Sequence, residues 1–391
     1  MIAKIAIPIV IAVVFGALCF DRWHWRYRLR WQRCLLWMLP LTAIIATVLM
    51  ARLPDYFPSD IRILEVYMLM LCVVAAPLVL VALSGLIGLC VHRRRGGETV
   101  GWLLSAAALA VFVWGETTGA RQLRVKHVEM TFSDLPAAFD GYKIVHFSDA
   151  HLGSAIGCRA QLLREAVDSI NAQHADAVAF TGDLQNMRPE EVQPFKALLA
   201  GIRAKDGVFS VLGNHDYCEY VGTDDPFEIS RQMGLTISTH EEMGWTLLDN
   251  SRVRLRRDSD ALVIAGMAND GEGRFPQFGD INSALWRVSR REFVVMLEHD
   301  PTSWRRKILT HSHAQLTLSG HTHGGQMRLF GWSPASLAYH EYAGVYAIGE
   351  RRLHVSTGLG GVVPFRLGVP PEIVVITLRR NSPKESGADN K

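Results

Sequence analysis

The sequence predicts an α/β globular region that follows an N-terminal helical transmembrane region of about four spans. Two observations predict this fold class. Apolar residues crowd the first 120 positions, and short β-rich runs alternate with amphipathic helical patterns from Gly141 onward. The domain bounds that we expect are a transmembrane region over 1–120, a globular domain over 121–380 and a disordered tail over 381–391.

Four apolar runs account for the first region and for much of the 49% hydrophobic content of the 391 residues. These runs are Ile5–Phe20, Leu35–Ala51, Val66–Val91 and Val100–Trp114. A span needs about 20 apolar residues, so the second and third runs are the better candidates. The first run could instead be a cleaved signal peptide, although no small-residue cleavage site follows it. The fourth run is short unless its helix continues to Ala120 and carries Glu116 to the far interface.

The loops between the runs indicate the orientation of the spans. The loops DRWHWRYRLRWQRC and VHRRRGGE are rich in arginine, whereas RLPDYFPSDIR is charge-balanced. Arginine accumulates on the cytoplasmic side of a membrane, and Trp and Tyr gather at headgroup level. With four spans we therefore expect a multi-pass protein of the cell membrane whose globular domain lies on the extracytoplasmic face. The net charge of +3 comes mainly from these loops.

The cysteines give little information about the compartment. Four of the six lie in or beside apolar runs, where cysteine acts as a small hydrophobic residue. Cys158 and Cys218 lie in the globular part and could pair if that part faces an oxidising compartment. Two cysteines do not decide the matter, and the pairing stays open.

The globular part contains seven predicted strands, five of which are followed by a polar cluster. The strands are YKIVHFSD, ADAVAFTGD, GVFSVLGNHD, REFVVMLEHD, AQLTLSGHTH, RRLHVST and EIVVITLRR, and the clusters are SDAHLG, GDLQN, GNHDYC, EHDP and GHTHGG. Helices are predicted in RAQLLREAVDSINAQ and PEEVQPFKALLAGI. Ligands bind outside the carboxyl ends of strands in open α/β sheets, so the five clusters should meet in one site.

The chemistry of these clusters is that of a metal site. The candidate ligands are Asp149, His151, Asp183, Asn214, His299, His321 and His323. Imidazole nitrogens mixed with carboxylate and amide oxygens suit Mn, Fe or Zn. Seven ligands are too many for one ion and suit two ions that share a bridge. Each motif alone could be an ordinary turn, but five in order at strand ends favour a site. His311 and His313 precede their strand, and we place them in a surface loop.

The ordered set D-x-H, GD, GNH[DE], H and GHxH resembles the calcineurin-like metallophosphoesterase superfamily. The GHTHGGQ, STGLGG and PPEI segments resemble the bacterial membrane-associated branch of that superfamily. The resemblance covers about Gly141 to Leu378. It implies a β-sandwich flanked by helices, and a catalytic domain that hydrolyses a phosphate ester by attack of a hydroxide bridging two divalent metal ions.

The resemblance also assigns roles to individual residues. It implies one ion bound by Asp149, His151 and His323, a second bound by Asn214, His299 and His321, and Asp183 as the bridge. His215 matches the residue that protonates the leaving oxygen or steadies the transition state. Many members carry a carboxylate three residues after the bridging aspartate, where this chain has Asn186. An amide carbonyl could still accept the imidazole N–H, and Asp216 could replace it if its side chain turned inward.

The leading functional hypothesis is a metal-dependent phosphoric ester hydrolase anchored in the membrane, of phosphodiesterase or pyrophosphatase type. Its expected partners are the membrane and a phosphorylated substrate, lipid-linked or from the cell envelope. The alternatives are a nuclease of the same superfamily and a non-catalytic membrane receptor or scaffold. The short basic run RVRLRR is too small a patch for us to expect a nucleic-acid partner. Substrate, metal identity and oligomeric state stay open.

Overall fold

The computed structural model describes residues 2–53, 61–155, 159–221, 223 and 225–381. The chain divides into two compact units, Met1–Thr118 and Gly119–Lys391. Cys158, most of the RLPDYFPSDIR loop and all but the first residue of the predicted disordered tail lie outside the described residues.

The described secondary-structure elements of the first unit are all helices. Its helices are α1 (Ile2–Trp23), α2 (Arg30–Met50), α3 (Ile61–Met70), α4 (Ala76–Cys90) and α5 (Arg94–Trp114). A π-helical turn joins α3 to α4, so that they form one continuous rod. Among the described residues, four helical segments are long and apolar enough to cross a membrane, which agrees with the predicted number: Ala6–Trp23, Arg30–Met50, Arg62–Cys90 and Arg94–Gly119.

The fourth helical segment is longer than the short apolar run seen in the sequence. Its helix begins earlier than the apolar run and continues through a π-helical turn, which gives 26 residues in total. At a rise of 1.5 Å per residue this is about 39 Å, longer than a hydrocarbon core of roughly 30 Å. Glycines allow close packing against the neighbouring helix. A Cβ added to Gly101 would lie 2.5 Å from the Cα of Val81.

The described residues of the second unit form two six-stranded sheets. Its strands are β1 (Arg124–Phe132), β2 (Lys143–Phe147), β3 (Ala177–Thr181), β4 (Val208–Val211), β5 (Thr246–Leu247), β6 (Ser251–Arg257), β7 (Asp260–Gly266), β8 (Phe293–Leu297), β9 (Leu316–Ser319), β10 (Gly344–Ile348), β11 (Arg351–Val355) and β12 (Glu372–Arg380). One sheet has the order β1-β12-β2-β3-β4-β5, and the other has the order β10-β11-β9-β8-β7-β6. The strands β2 to β5 are mutually parallel, as are β7, β8, β9 and β11.

The sheets face each other across an apolar core and are covered outside by helices and loops. Phe132 and Phe293 meet in that core with ring centroids 5.0 Å apart, one from each sheet. The helices of this unit are α6 (Ala160–Ala172), α7 (Lys196–Leu199), α8 (Pro226–Glu242), α9 (Ile281–Ala284) and α10 (Leu309–His311). Buried residues of α6 pack on the first sheet, while Trp304 and Ile308 pack on the second. The predicted sandwich flanked by helices is therefore confirmed.

All seven predicted strands are present, as β2, β3, β4, β8, β9, β11 and β12, but the sequence analysis missed the other five. The strand β1 is polar and β6 carries arginines, so neither has the apolar pattern of a buried strand. The predicted helix PEEVQPFKALLAGI is mostly a 3₁₀ turn, Pro189–Phe195, followed by the short α7. Pro194 within this segment lacks the N–H that an α-helix needs.

Candidate metal centre

The five polar clusters follow β2, β3, β4, β8 and β9 at their carboxyl ends. Because these strands are parallel within each sheet, the clusters lie at one edge of the sandwich. The structure brings three overlapping groups of possible ligands together: Asp149, His151 and His323; His151, Asp183 and His215; and Asp183, His299 and His321. Within each group the ligand atoms lie within 4.8 Å of one another. Asn214, which supplies an amide oxygen, lies beside His321.

An unusual backbone aims these side chains at a common point. Five of the predicted ligands have left-handed φ values between 44° and 70°: Asp149, His151, Asp183, His321 and His323. Such a conformation costs a residue with a Cβ about 1–2 kcal/mol, and strain of this kind concentrates at functional sites. Gly182 also has a positive φ, of 90°, and a Cβ there would lie 2.4 Å from the backbone nitrogen of Gly213. The strand ends can therefore approach closely enough to share a site.

Asp183 lies at the centre of the cluster. Its Oδ2 atom is 3.5 Å from Nε2 of His151 and 3.3 Å from Nε2 of His299. Its Oδ1 atom accepts a hydrogen bond from the backbone nitrogen of His215 at 2.9 Å. One carboxylate thus faces a histidine from each of the two predicted ligand sets, which is the position that a bridging ligand requires.

The first predicted ligand set, called the first half below, consists of Asp149, His151 and His323, which the structure brings together. The Nε2 atoms of His151 and His323 are 3.2 Å apart, and that of His323 is 3.5 Å from Oδ1 of Asp149. Ligand bonds of about 2.0–2.2 Å place neighbouring ligands roughly 3.0–3.5 Å from each other. The spacing of these donor atoms therefore fits a shared cation.

The second predicted ligand set, called the second half below, consists of Asn214, His299 and His321. Nδ1 of His321 lies 2.8 Å from Oδ1 of Asn214. Nδ1 of His299 donates to the carbonyl oxygen of Thr181 at 2.6 Å, which turns its buried Nε2 towards Asp183. No described residue forms a hydrogen bond with that Nε2 atom, so it is the ring nitrogen that can bind a cation once it has lost its proton.

Two aromatic hydroxyls orient the second half. The Tyr339 hydroxyl lies 3.0 Å from Nε2 of His321, on the opposite side of the ring from Asn214. The Asn214 amide nitrogen donates to the Tyr220 hydroxyl at 3.1 Å. Because the amide nitrogen is engaged there, the amide oxygen faces His321. No motif in the sequence marks either tyrosine as part of the site.

Burial and mutual charge set the protonation of the cluster. Burial lowers the pKa of His151 to about 3 and that of His323 well below its usual value, which leaves both imidazoles neutral. Burial also raises the pKa of Asp149 to about 7. At His299 the lowering by burial is more than offset by the charge of Asp183, and its pKa rises to about 10. A cation bound to His299 would therefore displace a proton.

His215 lies at the rim of the cluster, half-buried. Its Nδ1 atom is 2.5 Å from the backbone carbonyl of Asn186, so the main chain makes the contact that we considered for the side-chain amide. Its ring stacks on Tyr220 with centroids 4.5 Å apart. Asp216 does turn inward, but its carboxylate accepts backbone N–H groups, among them those of Asp183 and Gly213. Asp216 therefore stabilises the turns that follow β3 and β4.

The other pair of histidines lies away from the metal centre, as predicted, but His311 is in a helix and not in the predicted surface loop. His311 ends α10 and is exposed, and His313 lies 3.2 Å from the backbone carbonyl of Glu292. Both precede β9, whereas His321 and His323 follow it. The four residues of β9 thus separate the two pairs.

Comparison with known proteins identifies the family of this chain. The calcineurin-like phosphoesterase family matches residues 142–325. An uncharacterized metallophosphoesterase of Bacillus subtilis (strain 168), YkuE, is 32% identical over 287 residues, which cover 70% of this chain and 93% of that protein. This chain belongs to the calcineurin-like metallophosphoesterases. The family and the ligand groups together indicate a metal-dependent phosphoester hydrolase that uses divalent metal ions.

Two further relatives are associated with membranes or lipids by name. A transmembrane protein with metallophosphoesterase domain from Danio rerio is 29% identical over 72% of this chain, which spans 63% of that protein, less than two thirds. The UDP-2,3-diacylglucosamine pyrophosphatase LpxG of Chlamydia trachomatis is 27% identical over 69% of this chain and 94% of that protein. Together with the four apolar helices, these relatives indicate a membrane protein.

Proposed function

We propose that this protein is a membrane-anchored phosphoesterase with two metal ions, which hydrolyses a lipid-linked phosphate ester or diphosphate on the extracytoplasmic face. The observation that carries the proposal is the Asp183 carboxylate, which faces both ligand sets while His215 lies beside it. The proposed ligands are Asp149, His151 and His323 for one ion, Asn214, His299 and His321 for the other, and Asp183 for both. Bound there, Mn, Fe or Zn ions would acidify a water molecule and neutralise charge on the phosphoryl oxygens.

The chain itself supplies orientation and a proton. The backbone carbonyl of Asn186 accepts from Nδ1 of His215, because a carbonyl oxygen cannot donate. This bond leaves Nε2 as the atom that carries the second proton of the imidazolium. A proton at that position can pass to the leaving oxygen of the ester, which is the role of a general acid. The ring of Tyr220 packs against His215 and limits its rotation.

Two features support a lipid-linked substrate. The relative LpxG is named for a diphosphate bond in a molecule that carries acyl chains. The four apolar helices would hold the catalytic domain beside the bilayer, where a membrane-confined substrate reaches a high effective concentration.

The alternatives receive less support. In the basic run RVRLRR, Arg254 pairs with Glu292, and Arg257 with Asp176 and Asp206, so part of its charge is neutralised before any nucleic acid could bind. A non-catalytic receptor would be expected to have lost metal ligands, whereas all seven predicted residues are present in this chain.

A substrate panel tests the reaction. Full-length protein in detergent with Mn²⁺ would be offered a lipid-linked diphosphate, a soluble nucleotide sugar, an aryl phosphodiester and single-stranded DNA. We expect kcat/KM for the lipid-linked diphosphate to exceed that for the soluble nucleotide sugar by about tenfold or more, a gain of roughly 1.4 kcal/mol. Equal values would refute the lipid preference, and DNA as the best substrate would favour the nuclease.

Reporter fusions test the orientation. We expect a reporter that is active only outside the cytoplasm to be active when fused after Lys126, and a reporter that needs the cytoplasm to be inactive there. The opposite pattern would place the metal centre in the cytoplasm and change the accessible leaflet without affecting the metal assignment.

A further inference from the structure

A polar pocket of about 190 Å³ lies next to the metal centre but uses none of its ligands. Three cationic side chains line it, those of Arg124, Lys126 and Arg328, together with Tyr342. None of the described residues that line the pocket is acidic. Gly324 also lines it and directly follows the proposed ligand His323, so the pocket and the metal centre share a stretch of backbone.

Two of these three cationic side chains have no acidic partner among the described residues. Lys126 pairs with the buried Glu372 at 2.5 Å. Arg124 and Arg328 are both exposed, and neither forms an ion pair with another described residue. A concave site with two free guanidinium groups attracts an anion, and guanidinium geometry suits the oxygens of a phosphate.

A tight aromatic turn continues from one wall of the pocket. Leu329 and Trp332 exchange two backbone hydrogen bonds of 2.9 Å, so that Phe330 and Gly331 form a two-residue turn with φ values of 50° and 85°. Phe330 is fully exposed and Trp332 about half exposed. A phenylalanine in the left-handed region and in water carries a backbone cost and a solvation cost together. Strain of this kind suggests a function for the turn.

The short stretch of chain between the fourth apolar segment and Arg124 limits the distance of Arg124 from a membrane that this segment crosses. Arg124 stands five residues after Gly119, where the fourth apolar segment ends. A chain extends by at most about 3.6 Å per residue, so Arg124 lies within roughly 18 Å of the end of that segment. This limit holds on either face of the membrane. The cation is therefore within reach of the headgroup layer.

We infer that the pocket and the turn form a docking surface for the bilayer in which the protein is anchored. Arg124 and Arg328 bind the phosphate of an anionic lipid headgroup, and Phe330 and Trp332 enter the headgroup layer. Aromatic side chains beside arginines collect at this depth of a bilayer. The inference does not depend on any reaction, but docking would hold the metal centre close to lipid headgroups.

Hydrogen–deuterium exchange on the full-length protein tests this surface. The protein would be placed in nanodiscs of phosphatidylcholine alone, or of equal parts phosphatidylcholine and phosphatidylglycerol. We expect residues 326–333 and 342–346 to exchange about tenfold more slowly in the anionic discs. Each basic residue close to an anionic membrane surface strengthens binding of the protein to that surface. The double variant R124Q/R328Q should lose this protection and keep its thermal unfolding temperature.

A matched variant and a soluble anion complete the test. R203Q/R290Q removes two exposed arginines that do not line the pocket, and it should keep the protection. Equal exchange in the two lipid compositions, or equal loss of protection in both double variants, would overturn the inference. Inorganic phosphate that protects these segments in phosphatidylcholine discs as well as phosphatidylglycerol does would show a site for soluble anions instead.

Discussion

The two halves of the metal centre differ in how the protein holds their histidines. In the second half, Nδ1 of His299 donates to the carbonyl of Thr181, and Nε2 of His321 lies 3.0 Å from the hydroxyl of Tyr339. In the first half, the Nδ1 atoms of His151 and His323 are buried and form no hydrogen bond with any described residue.

This difference predicts unequal affinity for the two ions. A histidine whose other nitrogen is engaged is already oriented for a metal and loses less freedom on binding it. Loss of such a partner typically lowers metal affinity by about 10- to 100-fold. We therefore expect the half containing His299 and His321 to bind its ion more tightly, and the half containing His151 and His323 to bind later in a titration and to lose its ion first to a chelator.

The largest effect is expected at the residue that both halves share. Asp183→Ala should lower the hydrolysis of an aryl phosphodiester by about a thousandfold or more, because several kcal/mol of metal-dependent stabilisation is lost. Asp183→Asn keeps an oxygen for the backbone N–H of His215 and removes only the charge, so it controls for folding. Activity of the alanine variant within about threefold of the parent, under 1 kcal/mol, would rule out a bridging role.

His215→Ala should slow the reaction and leave both metal ions bound. We expect kcat to fall by about 10²- to 10⁴-fold, the usual range for loss of a general acid. The loss should be greatest for substrates with poor leaving groups, which need the proton most. Metal content measured on the same samples should stay at two ions per chain. A uniform loss across leaving groups of different pKa would argue for a role in positioning only.

Tyr339→Phe sharpens the comparison between the halves. Removal of the hydroxyl beside His321 should lower the affinity of the tighter site by about 10- to 100-fold and bring the two binding steps together in calorimetric titration with Mn²⁺. Tyr142→Phe is the matched control, since its buried hydroxyl donates to Asp206 at the other end of the sandwich. If both variants bind metal alike, the partner of His321 does not set the order of binding.

The smallest effect is expected from Tyr220→Phe. The variant keeps the ring that stacks on His215 and removes the acceptor for the amide of Asn214. A net hydrogen bond contributes about 0.5–1.5 kcal/mol, so metal affinity in the second half should fall by roughly 2- to 13-fold. A fall in kcat at saturating metal, with unchanged affinity, would instead assign the hydroxyl to the chemistry at His215.

The sequence by itself determined the spans and the candidate ligands. The length of an apolar run and the preference of histidine and aspartate for particular metals are properties of short segments, which can be read without a fold. Seven of the twelve described strands were also predicted from β-rich runs, five of which end in a polar cluster. Missed strands such as β1 and β6 lack the apolar pattern of a buried strand, and their place depends on neighbours in the sheet.

Only the tertiary structure decided which groups support the ligands. The carbonyl of Thr181 reaches His299, and Arg124 and Arg328 meet in one pocket, although each pair is far apart in the sequence. The left-handed backbone at Asp149 and Asp183 likewise could not be read from residue type, because aspartate adopts it more often than most residues do but still at only a small share of its positions. These tertiary contacts depend on the strand order within each sheet and on the packing of one sheet against the other. Together these bring close positions that no local sequence pattern relates.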